Sequence, residues 1–66
     1  MKTLPKLLKE IDALYEQIEM GLMTSKQVTF KLREMRFKCL EKFDESSDEF
    51  QICVDSLIDC SNLIMN

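Results

Sequence analysis

The residues with the most chemical potential here are Cys39, Cys53 and Cys60, together with the carboxylates; the chain has no histidine. A nucleophilic thiol needs a lowered pKa and a base within reach. Lys38 adjoins Cys39 in the sequence, but adjacent residues on a helix do not face each other. The Cys39-x13-Cys53-x6-Cys60 spacing matches no zinc pattern. Three thiols cannot all pair within one chain, and reduced cysteines of a cytosolic protein are the expected state. Packing is the reading that fits, because free cysteine behaves as a small hydrophobe and is among the most buried residue types. The carboxylate pairs Asp12/Glu16 and Asp55/Asp59 lie on polar helix faces. Such pairs perform acid–base chemistry where a pocket drives their pKa values apart, and short helices with solvated acids offer no such pocket. The sequence therefore predicts a non-enzymatic protein with no cofactor and no metal.

The elements that carry these residues are read from apolar periodicity. Leu4, Leu7, Leu8, Ile11, Leu14, Tyr15 and Ile18 recur at i, i+3, i+4 and i+7, which predicts an amphipathic helix over about 4–20. Thr3 is a candidate cap for it, and Pro5 is tolerated in the opening turn. Gly21, the chain's single glycine, stands where the pattern stops and suits a left-handed helix end. Thr24-x-x-Gln27 is a capping box for a second helix over 25–43, and Met23 with Val28 can form its hydrophobic staple. A turn this short predicts an antiparallel helical hairpin. Asp44-Glu45-Ser46-Ser47-Asp48-Glu49 concentrates turn and cap formers, with Ser46-x-x-Glu49 as a second capping box. A third helix is predicted over 47–64, with Phe50, Cys53, Val54, Leu57, Ile58, Cys60, Ile64 and Met65 on a broad apolar face. The alternative is one long helix from Ser25 onward, since the apolar phase runs almost unbroken through the junction. Residues 1–66 thus read as one all-α domain of three helices.

The second helix is unusual in having two apolar faces. At ~100° per residue, Val28, Leu32, Met35, Cys39 and Phe43 share one stripe. Phe30 and Phe37 fall nearly opposite, with Leu40 between. Two faces imply packing on both sides, either by the first and third helices or by a partner. A chain of 66 residues buries only about 60% of its unfolded surface and rarely gains more than ~3–5 kcal/mol from its core. With disulfides and metals set aside, completion by oligomerisation or a partner protein is the expected support. The interface residues predicted on this basis are Phe30, Arg33, Phe37 and Leu40, with Ile52 and Leu63 at the margin of the third helix.

Charge is segregated. Residues 24–43 carry Lys26, Lys31, Arg33, Arg36, Lys38 and Lys42 against Glu34 and Glu41, while residues 44–66 carry six acids and no base. The total is −3, which favours self-complementary packing or a charged partner over nucleic acid. No leader segment is visible, because Lys9 and Glu10 interrupt any apolar run after Lys2 and Lys6. The longest uncharged run, Cys60 to Asn66, is far short of a membrane span. A soluble cytoplasmic protein is expected.

A DNA-binding helix–turn–helix regulator using the basic helix 25–43 is the second functional class. Placing Gly21 as its turn glycine exposes a misfit: Gln17 stands where a small residue is required and Gln27 where an apolar one is. The basic residues also split, with Lys31, Lys38 and Lys42 on one flank of the main stripe and Arg33 and Arg36 on the other. The acidic chain lacks the basic footprint of such proteins. The run Gly21-Leu22-Met23-Thr24-Ser25-Lys26-Gln27-Val28, with Lys31 and Met35, resembles the hairpin of SHOCT-type short domains, which run Gly–apolar–apolar–Thr, then Glu-Phe and a basic residue. The leucine spacing of the first helix departs from that pattern, and the third helix is additional. Generic capping chemistry produces the same features; the resemblance implies an oligomerising module without catalysis. The function that follows is that of a small adaptor, inhibitor or co-chaperone type regulator, acting by binding a protein partner or a second copy of itself as a homodimer or higher oligomer.

Overall fold

A computed structural model describes residues 3–65, which form α1 (Thr3–Glu19), α2 (Ser25–Lys42) and α3 (Asp48–Met65) with no strand among them. The break between α2 and α3 rules out the single long helix. Phe43 leaves α2 in an extended conformation (φ −133, ψ 149) while its N–H still donates to the Cys39 carbonyl.

Each helix end is set by local chemistry. At the end of α1, Gly21 adopts φ 74. Its N–H donates to the Ile18 carbonyl at 3.0 Å and that of Leu22 to the Gln17 carbonyl at 3.0 Å, the paired bonds of a Schellman motif. Thr24 then caps α2 as predicted. Its Oγ1 accepts from the Gln27 N–H at 3.2 Å, and its own N–H donates to Gln27 Oε1 at 2.9 Å. Met23 and Val28 both join the core, consistent with the staple.

Two predicted caps are not formed as expected. Thr3 is already helical and lies inside α1 instead of capping it. The second capping box on Ser46 is not formed. Ser47 takes the cap position, its Oγ accepting from the Phe50 N–H at 3.2 Å, which places apolar Phe50 where the box would need Glu49. Ser46 instead donates its hydroxyl to Asp44 at 3.0 Å, and the Ser47 N–H closes a turn onto the Asp44 carbonyl at 2.9 Å. Phe50, only 4% exposed, packs in the core directly after this cap.

The core collects Leu7, Ile11, Leu14 and Ile18 from α1, Val28, Met35 and Cys39 from α2, and Phe50, Cys53, Leu57 and Cys60 from α3. The helix that organises it is α3. It packs extensively on both other helices, whereas α1 and α2 touch each other far less. Consequently α2 is not sandwiched. Its main stripe is buried, with Leu32 and Phe43 at the margin, but Phe30, Phe37 and Leu40 remain exposed. On α3 the buried face is narrower than predicted, with Ile58 and Met65 in solvent. The two hairpin arms run antiparallel and are bridged by charge: Lys38 Nζ lies 2.9 Å from Glu10 Oε1.

Candidate protein-interaction surface

The exposed apolar residues of α2 are positioned by the core they oppose. Val28, Met35 and Cys39 point inward. At ~100° per residue, Phe30 and Phe37 therefore project directly outward, two turns apart, and retain 64% and 68% of their surface in solvent. Leu40, beside them, is 39% exposed. Nothing in the described chain folds back over this ridge.

Between α2 and α3 runs a groove of about 280 Å³. Its floor is Leu32, Val54, Leu57 and Ile64; Arg33 and Arg36 line the α2 wall and Ile58 the α3 wall. Thr29 and Arg33 also border a second open depression that reaches Phe30. The groove and the phenylalanine ridge are thus one continuous surface, apolar with two guanidinium groups across it. Neither Arg33 nor Arg36 forms an ion pair among the described residues. The cations that do, Lys31 with Glu34 and Lys38 with Glu10, lie on the opposite flank of α2, where they line the depression against α1. The hydrogen bond from Lys38 to Glu10, and next the attraction of that carboxylate, raise the Lys38 pKa.

Of the six residues predicted at an interface, Phe30, Arg33, Phe37 and Leu40 share this surface. Ile52 and Leu63 do not. They fall on the helical stripe of Ser56 and Asp59 (spacings of four, seven and eleven), and those two residues line a depression against α1. Ile52 is 44% exposed there, whereas Leu63 is half-buried and packs on the chain's own core. Ile58 and Arg36 are contributors that periodicity alone missed. A signal for Ile58 existed in the sequence: Gln51, Asp55 and Asn62, its neighbours on the side away from Val54, are polar.

The thiols lie elsewhere. Cys39, Cys53 and Cys60 are each 0% exposed. Burial, and next the neighbouring Cys53 thiol, raises the Cys39 pKa from 9.0 to about 12. Burial, followed by the charges of Asp59 and Asp12, raises that of Cys60. Its Sγ lies 3.9 Å from the Ile11 carbonyl oxygen, a weak bond that seats the thiol against α1. These are the surroundings of protonated, packed sulfur rather than of a nucleophile. Asp12 and Asp59 line one shallow depression with Tyr15. No group of three or more potential ligands that could hold a metal ion occurs among the described residues, and no described helix is long and apolar enough to cross a membrane. No protein-family model, curated protein or solved structure matches this chain.

Proposed function

We propose that the protein is a small non-enzymatic interaction module, an adaptor, inhibitor or co-chaperone type regulator, that binds another polypeptide through the outward face of α2. The observation that carries this reading is the exposure of Phe30 and Phe37 at 64% and 68% on the face opposite the core. Isolated exposed hydrophobes are ordinary, but two aromatic rings two turns apart, beside Leu40 and an unpaired arginine, have the composition of interface anchors.

The DNA-binding alternative has less support. Two of the lysines that would have to contact phosphate, Lys31 and Lys38, are engaged by Glu34 and Glu10. The face that would enter a groove presents Phe30 and Phe37 among its cations. Salt separates the readings, because phosphate binding weakens steeply with added salt and an apolar interface does not. The direct test is the Phe30→Ala/Phe37→Ala variant, which should retain helicity and lose association. A variant that keeps both would overturn the proposal.

A further inference from the structure

We infer that the groove between α2 and α3 seats a second copy of this chain, the copies being related by a two-fold axis near Ile58, with Asp55 of each opposite Arg33 and Arg36 of the other. The inference rests on the protein-binding reading and names its occupant.

Charge supplies the first argument. The segment from residue 44 onward carries six acids and no base, and none of those acids forms an ion pair among the described residues, where the only pairs are Lys31–Glu34 and Lys38–Glu10. Arg33 and Arg36 are likewise unpaired and border the groove directly. Asp55 lies one turn before Ile58 on the exposed side of α3, its carboxylate engaged only by the Gln51 amide at 3.0 Å. Each chain therefore brings two arginines without an ion pair to one lip of the groove and, one turn before Ile58 on the other lip, a carboxylate that meets no cation among the described residues. A two-fold axis beside Ile58, between it and the groove floor, exchanges them.

Shape supplies the second. An isologous interface must be self-complementary, a projection beside the hollow that receives it. Ile58, 50% exposed, is such a projection, and the floor formed by Leu32, Val54 and Ile64 is the hollow.

Surface area supplies the third. The chain exposes 5024 Å², whereas a compact monomer of its 7.8 kDa should expose about 4400 Å². The excess, about 600 Å², goes with an elongated shape of 32 × 19 × 16 Å, which leaves flank surface open to a partner. The radius of gyration agrees, at 11.5 Å against the about 10.8 Å of a compact chain this long.

A charge exchange on the full-length chain tests the pairing. Wild type should show a dimer mass by light scattering and a thermal midpoint that rises with protein concentration. Arg33→Glu/Arg36→Glu and Asp55→Lys should each weaken that dimer on the order of a hundredfold, through like charges placed together. Mixed in equal amounts, the two variants should regain it, since every reversed contact is again opposite in sign. Ile58→Ser, which removes nothing from the core, should stay helical and become monomeric. A wild type that is monomeric at high concentration overturns the inference, as does a mixture that fails to recover the dimer. A dimer that resists the charge variants but yields to Phe30→Ala/Phe37→Ala overturns this seat while leaving the interaction reading in place. Loss of both responses removes both.

Discussion

Replacing Phe30 and Phe37 together by alanine separates what the fold needs from what association needs. In the isolated chain each ring is covered over only about a third of its surface, given exposures of 64% and 68%. Full burial of such a side chain is worth ~1.5–3 kcal/mol, so each ring contributes ~0.5–1 kcal/mol to the fold. Alanine returns roughly half a kcal/mol per site in helix propensity. The net cost to folding is therefore close to zero, about half a kcal/mol per site at most. Phe50 is the internal comparison. At 4% exposure its truncation costs ~3–5 kcal/mol, as much as a core this size supplies, and that variant should be unfolded. In a complex the outward rings act differently. Interface anchors cost at least ~2 kcal/mol each, so losing two weakens binding about a thousandfold. Far-UV circular dichroism with urea titration reads the fold, and mass by light scattering or sedimentation reads association. The reasoning is refuted if the double variant unfolds like Phe50→Ala, which would place the rings in the core. It is equally refuted if helicity and assembly both survive.

The hairpin should respond to its two end devices. Gly21 sits at φ 74 with nothing within 4 Å of an added Cβ, so Gly21→Ala meets backbone strain alone, ~1–2 kcal/mol, partly offset by ~0.4–1 kcal/mol of entropy removed from the unfolded chain. A raised urea midpoint would contradict the left-handed turn. Thr24→Ala removes the acceptor for the Gln27 N–H and should cost ~1 kcal/mol on the same titration. The thiols should label with a thiol reagent roughly a hundred- to several-thousand-fold more slowly in the native state than after denaturation, the ratio set by a stability of ~3–5 kcal/mol. Fast native labelling would show them to be accessible. Alkaline pH has a definite sign. Cys39 is raised from 9.0 to about 12 in the fold, so between those values the unfolded chain binds fewer protons than the native one. Stability is intact below pH 9.0 and should fall as pH climbs toward 12, by up to about 1.4 kcal/mol per pH unit for this one thiol. A Cys39→Ala variant with the same alkaline profile as wild type would contradict this.

Local chemistry determined much of this protein without help from the fold. Gly21, Thr24 and Gln27 place a helix end and a helix start within a few residues of each other, and their bonds join groups at most five residues apart, so the sequence holds every participant. The leucine and isoleucine repeat of α1 is similarly self-contained. The three cysteines were legible as core because each falls on an apolar stripe and no partner for chemistry is near it. Which helix would organise the bundle was not legible. The two apolar faces of α2 suggested that it lay in the middle, but periodicity records where hydrophobes stand and not which of them will be covered. Only packing in three dimensions decides that α3 serves both neighbours and leaves Phe30 and Phe37 in water. The α3 cap likewise fell on Ser47 and not Ser46, whose hydroxyl is taken by Asp44 in the preceding turn. The groove with Arg33, Arg36 and Ile58 belongs wholly to the tertiary structure. Its walls come from residues some twenty positions apart on two helices, and no pattern within either helix states how the two will lie against each other.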